Sequence, residues 1–137
     1  MVELIGTGKL SSVEVVSSHF ERIEKHNSEI QVVVTFRKEE ALEEVRAADR
    51  ARALGTALGK LHGLPLTLKD AFRVRGVRTT YGLPQGRNYV PRSDCELVRR
   101  LRQAGAIIIG RTNLPFASFD WQCNGPVFKE CVNPWNQ

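Results

Sequence analysis

The chain has 137 residues and a formal net charge of +5, with 42% hydrophobic and 26% charged residues. That length fits one ordinary domain, and the balance of apolar and charged residues excludes intrinsic disorder. Its longest aliphatic runs, such as Ala106 to Ile109, fall far short of the roughly 20 residues a membrane-spanning helix needs, so no membrane association is expected.

In chain order, the opening MVELIGTGKLSS has neither the basic start nor the long apolar stretch of a secretory signal, and a cytoplasmic location is the default expectation. Ser11 followed three residues later by Glu14 is a capping box, in which hydroxyl and carboxylate satisfy orphan amides of a first turn. Val13, Val16, Phe20 and Ile23 then share one helical face, and His26-Asn27-Ser28 marks the expected stop. Val32 to Phe36 is short and β-branched and predicts a strand. Arg37 to Leu54 predicts a second helix. Its acids Glu39, Glu40, Glu43 and Glu44 come first and its arginines Arg46, Arg50 and Arg52 last, the order that suits the helix dipole. Gly55 is a natural stop.

Leu61 to Phe72 reads LHGLPLTLKDAF. Leu64, Leu66 and Leu68 alternate with Pro65, Thr67 and Lys69, so a strand puts the leucines on one face and Lys69 on the other. Pro65 has no amide hydrogen for a ladder and belongs at a strand's start or edge. Asp70 is expected to bond the following turn, and His62, before Gly63, to be a turn or packing residue. The segment from Arg73 to Arg92 carries turn signals at Gly76, Gly82, Pro84, Gly86 and Pro91. Gly82 to Pro91 is the one candidate hinge, with no evident domain boundary. Ser93 with Glu96 predicts another capping box, opening a helix through Leu97, Leu101 and Ala104 that Gly105 closes. Ala106 to Ile109 predicts a strand buried on both faces, ended by Gly110 and Arg111, with Thr112 capping a short helical turn. The alternation of helix and strand predicts an α/β fold, helices packed on a sheet.

The three cysteines Cys95, Cys123 and Cys131 include no CxxC pair, so reduced thiols are expected, without metal or disulfide. The basic cluster Arg73, Arg75 and Arg78 has no interleaved aromatics and is expected to be a solvated face rather than a nucleic-acid surface.

Four stretches together carry a resemblance: LSSVEVVSSHFERIEKHN, LHGLPLTLKDAFRVRGVRTTYGLP, VPRSDCELVRRLRQAGAIIIGRTNLP and DWQCNGPVFKECVNPWN. In this order and spacing, covering nearly the whole chain, they resemble the N-terminal part of an amidase-signature enzyme. The resemblance implies the N-terminal part of that family's α/β fold, with helices on a mixed sheet, making residues 1–137 a partial domain. It implies hydrolysis of carboxylic amides by a lysine, a serine in a cis peptide and a nucleophilic serine. The lysine position falls on Lys69. The family's serines lie in a Gly- and Ser-rich stretch after the NPW motif, here Asn133-Pro134-Trp135, and no such stretch follows within these 137 residues. The isolated chain is therefore expected to be inactive.

Asn113-Leu114-Pro115-Phe116 departs from the acidic residue many relatives carry near that phenylalanine, and Asp120-Trp121-Gln122 resembles one subgroup of the family. The implied chemistry needs no cofactor and no metal. A lysine carries protons only when neutral, which burial favours, and the neighbouring leucines suggest burial of Lys69. Without the resemblance, Lys69 also reads as a strand-end lysine with its amine in water. The implied partner is a small amide substrate. A non-catalytic alternative is an interaction module or subunit, self-associating through uncovered apolar surface.

Overall fold

The computed structural model describes residues 1–56 and 58–135; Gln137, where the sequence stops, lies outside them. Among the described residues four helices, α1 (Val2–Gly6), α2 (Ser12–Ile30), α3 (Lys38–Ala53) and α4 (Glu96–Gln103), surround three strands, β1 (Val33–Phe36), β2 (Pro65–Lys69) and β3 (Ile107–Thr112). Two short 3-10 turns, Pro84–Gly86 and Phe116–Ser118, complete the order. The sheet order is β1-β3-β2, with β3 antiparallel to β1 and parallel to β2. The fold is thus α/β on a mixed sheet.

The expected capping box at Ser11 and Glu14 forms, and Asp49 of α3 adds its carboxylate to the same helix start, accepting from the amides of Ser12 and Val13 at 2.8 and 3.1 Å. The helix does not stop at His26 to Ser28. It continues to Ile30 and ends at Gln31, whose φ of 54° is left-handed. Asn27 stays helical and uses its amide side chain to clamp both the N–H and the C=O of Val33, each at 2.7 Å. Helix α1 was not anticipated from the sequence. Helix α3 begins at Lys38 because Arg37 is drawn inward: its guanidinium donates to the Ile108 carbonyl at 2.6 Å and to Glu44 at 2.8 Å.

Strand β3 is the centre. Ile107 and Ile109 join Val16, Phe20, Ala41 and Val45 beneath α2 and α3. Ile108 joins Leu68, Val74, Val77 and Val98 on the opposite face. Burial on both faces is as the apolar run predicts. Each of these side chains larger than Ala41 contributes about 1.5–3 kcal/mol. Gly110 lets β1 approach; a Cβ there would lie 2.8 Å from the Thr35 carbonyl oxygen.

Two expectations around β3 are corrected. The strand does not end at Gly110 and Arg111 but runs through Thr112, which caps nothing. The cause is a pairing partner: Leu68 and Lys69 sit opposite Arg111 and Thr112. Nor does Ser93 cap α4. Cys95 takes that position in extended backbone without a side-chain cap. Its amide is held by the Arg73 carbonyl at 3.0 Å. Asp94 instead accepts from the Arg75 amide at 2.7 Å, and Glu96 turns to Arg99 and Arg100.

Candidate active site at the carboxyl ends of the parallel strands

Clefts in α/β sheets open beyond the carboxyl ends of parallel strands. Here those ends are Lys69 of β2 and Thr112 of β3, which face each other in register. A bulge precedes them: Leu66 pairs with Ile108 but Thr67 with Gly110, leaving Ile109 as the extra residue. Strict alternation along β3 would set Arg111 with Ile107 and Ile109. The bulge resets the count and places Arg111 on the face of Leu68 and Asp70, while Lys69 keeps the face of Thr67.

Asp70 and Arg111 are both fully buried. The Arg111 guanidinium donates to Thr79 Oγ1 at 3.1 Å and to the Lys69 carbonyl at 3.0 Å, and one Nη lies 3.4 Å from Asp70 Oδ1. Asp70 Oδ2 accepts from the Thr80 amide at 3.0 Å and its hydroxyl at 2.5 Å. That hydroxyl in turn accepts from the Gly82 amide at 3.1 Å. The expected turn-bonding role of Asp70 is what the geometry shows. Burial pushes the Asp70 carboxyl above the usual carboxylate range, against the opposing pull of Thr80 and Arg111. Burial likewise pulls the Arg111 guanidinium down, but an arginine keeps its charge in proteins. At 3.4 Å the pair is an electrostatic contact longer than a good hydrogen bond, and among the described residues Asp70 Oδ1 and Arg111 Nε have no hydrogen-bond partner.

The two loops leaving these strands interlock. Gly82, at φ +68°, sits where a Cβ would meet the Pro115 carbonyl oxygen at 2.5 Å. Tyr81, Ala117 and Ser118 hold positive φ without being glycine; such backbone costs of order 1–3 kcal/mol per residue. Burial pushes the Tyr81 phenol up, and its ring stacks on Tyr89 with centroids 6.4 Å apart. The far end of the candidate hinge is tied back to the segment before it, by Thr79 N–H to Tyr89 O and Gly76 N–H to Pro91 O, at 2.9 and 3.0 Å.

Lys69 itself is exposed; the expectation of burial from its apolar neighbours is not met. Those neighbours fill the opposite face, and nothing among the described residues covers the side of β2 from which Lys69 projects. His62 is a packing residue, its Nε2 3.0 Å from the Ala48 carbonyl. Of the basic cluster, Arg73 and Arg75 are solvated, but Arg78 is half-buried over the Phe128 ring at 5.3 Å. Among the described residues no three His, Cys, Asp or Glu side chains gather as a metal site, and no helix is long and apolar enough to cross a membrane. Sequence reasoning missed Arg111 and Thr79. The only signal for them was the arginine itself, set directly behind an aliphatic run with no turn residue but Gly110 between.

The Amidase family model matches residues 14–137. The chain belongs to that family. It is 39% identical over 132 residues to an indoleacetamide hydrolase of Bradyrhizobium diazoefficiens, covering 96% of this chain and 25% of that protein. It is 37% identical over 134 residues to a glutamyl-tRNA(Gln) amidotransferase subunit of Moorella thermoacetica, covering 98% and 28%. Among solved structures it is similar to a bacterial aryl acylamidase of the amidase-signature enzymes, with a TM-score of 0.86 and 25% identity, over 98% of this chain and 28% of that one. This amidase-family chain thus spans about a quarter of the length of the curated relatives it matches. The buried Asp70–Arg111 pair and the Lys69 strand end lie inside the matched region.

Proposed function

We propose that the chain supplies the lysine of an amide-hydrolysing site, with Lys69 as the proton carrier, as the N-terminal part of an amidase domain. The observation that supports this is the position of Lys69. It ends a parallel strand, its carbonyl is held by Arg111 at 3.0 Å, and its next neighbour Asp70 is locked in a buried network. In the reaction, neutral Lys69 accepts the proton of a serine hydroxyl through a second serine. The serine oxygen attacks the amide carbonyl, the amine leaves with a proton, and water releases the acid from the acyl-enzyme. The serines are not among these residues, so turnover by the 137-residue chain alone is expected to be absent. The exposed side of Lys69 is then the side on which the rest of a site is assembled, with a small amide as substrate, no metal and no cofactor.

The deciding measurement is ammonia release from simple carboxamides by the full-length gene product. Lys69→Ala is expected to reduce it at least a thousandfold with the fold intact. Unchanged turnover in that variant, or Lys69-dependent turnover by the isolated chain, would contradict the proposal. A cytoplasmic location goes with this reading.

A second reading, a non-catalytic subunit, is favoured by one observation: Phe119, Trp121 and Trp135 are exposed on the segment following β3. Aromatic surface of this kind suits association. Sedimentation of the chain as a monomer at all accessible concentrations would remove self-association. Nucleic acid is not expected to bind; salt-sensitive RNA binding would change that.

A further inference from the structure

The segment after β3 contains two cysteines that the proposed hydrolysis does not use. Cys123 and Cys131 are both half-buried and free, and the chain reverses direction between them. The Cys131 amide donates to the Cys123 carbonyl at 2.9 Å. That single bond, with standard backbone dimensions, keeps the two Cα atoms within about 6.8 Å of each other, the upper limit of the roughly 4.4–6.8 Å that a disulfide spans. The Cys123 thiol is aimed at the end of β3, donating weakly to the Asn113 carbonyl at 3.7 Å. Burial pushes the Cys131 thiol up, and Cys123 adds to that push, as two neighbouring sulfurs would.

The loop between them touches both sides of the candidate site. Asn113 donates to the Lys129 carbonyl at 2.8 Å. Arg87, from the segment after β2, donates to the Pro126 carbonyl at 3.0 Å, and Arg78 lies over Phe128. A link across the base of this loop would therefore fix its contacts with Asn113, Arg87 and Arg78.

We propose that Cys123 and Cys131 are a redox-sensitive pair that closes into a disulfide with a small disulfide oxidant of the glutathione class. Cys123 attacks first, because burial disfavours the thiolate of Cys131. One sulfur–sulfur bond of the oxidant breaks, Cys123 takes one half as a mixed disulfide, and one glutathione thiol leaves. Cys131, deprotonating, then attacks the Cys123 sulfur and expels the second glutathione thiol. The two protein thiols are oxidised and the one oxidant disulfide is reduced to two thiols. Cys95 takes no part: it sits at the start of α4 and packs with the Ile108 cluster. The pair stands on its own geometry, whatever becomes of the proposed role of Lys69.

The test is incubation of the chain with glutathione disulfide, quenching by alkylation and peptide mapping by mass spectrometry. The expected product is a Cys123–Cys131 crosslinked peptide lighter by two hydrogens, restored by dithiothreitol, with Cys95 alkylated. In Cys131→Ser the glutathione adduct on Cys123 should persist at least tenfold longer than in the unaltered chain. Because the unaltered chain is assayed directly, the result does not depend on that variant folding. Stable glutathione adducts on both sulfurs, a bond involving Cys95, or disulfide-linked dimers of the chain would overturn the proposal.

Discussion

The first half of β3, Ile107–Ile109, and the second half, Gly110 to Thr112, are buried almost alike, yet different physics holds them. The isoleucines are held by apolar contact on two faces, which is non-directional and tolerates small changes of shape. Arg111 is held by Thr79, the Lys69 carbonyl and Asp70, each of which demands a position. The apolar half sets where the strand lies; the polar half sets the backbone at Lys69. A removed methyl should therefore be absorbed in one half, and a removed guanidinium should not be absorbed in the other.

The largest expected effect follows from that contrast. Arg111→Met keeps much of the side-chain volume but leaves Asp70 buried beside no cation, a change that costs about 3–5 kcal/mol. Ile108→Val, in the apolar half, should cost only about 0.5–1.5 kcal/mol. Urea denaturation of both variants measures the difference. The double variant Asp70→Asn, Arg111→Met should recover part of the loss, because no buried charge remains. Equal costs for Arg111→Met and Ile108→Val would erase the distinction between the halves.

A smaller effect probes the junction. Gly110→Ala places a methyl 2.8 Å from the Thr35 carbonyl oxygen, a backbone atom that cannot rotate away. Overpacking of this kind costs about 1–3 kcal/mol, and it should fall on the β1–β3 edge. Hydrogen exchange at Arg37, whose amide donates to the Ile109 carbonyl of β3, is expected to quicken more than exchange at Leu68. Uniform acceleration would mean that Gly110 matters to the whole sheet and marks no boundary.

What the sequence could show follows the same division. Capping at Ser11 and Glu14, the faces of α2 and the double burial of Ile107 to Ile109 were legible, since each depends on neighbours a few residues away. The bulge at Ile109 was not, because alternation counts one residue per step and a bulge breaks the count only when a partner strand is in place. Arg111 consequently read as a strand end. The Ser93–Glu96 box matched in spacing, but the remote Arg75 amide and the arginines of α4 claimed Asp94 and Glu96. Lys69 was located on the correct face of β2, yet its exposure depends on what lies beside the strand, which neighbours along the strand do not reveal.

The finest test uses two carboxyl groups whose environments oppose each other. Glu96 is exposed and bonded to Arg99 and Arg100, which hold it down to about 2. A carboxyl whose folded value is depressed favours the folded state above its unfolded value, and that contribution fades as pH falls toward about 2. Asp70 is displaced upward, first by burial. Its sign is reversed: the folded state binds the proton more tightly, so the contribution is full below the unfolded value and is lost as pH rises through the folded one. Carbon-13 titration of the two carboxyl groups should give midpoints on opposite sides of the ordinary carboxylate range. Molar salt should raise the Glu96 midpoint, because its partners are in water and screened, and should leave Asp70 almost unmoved. A salt-sensitive Asp70 would mean that water reaches the polar half of β3, and the rigid support inferred for the Lys69 backbone would go with it.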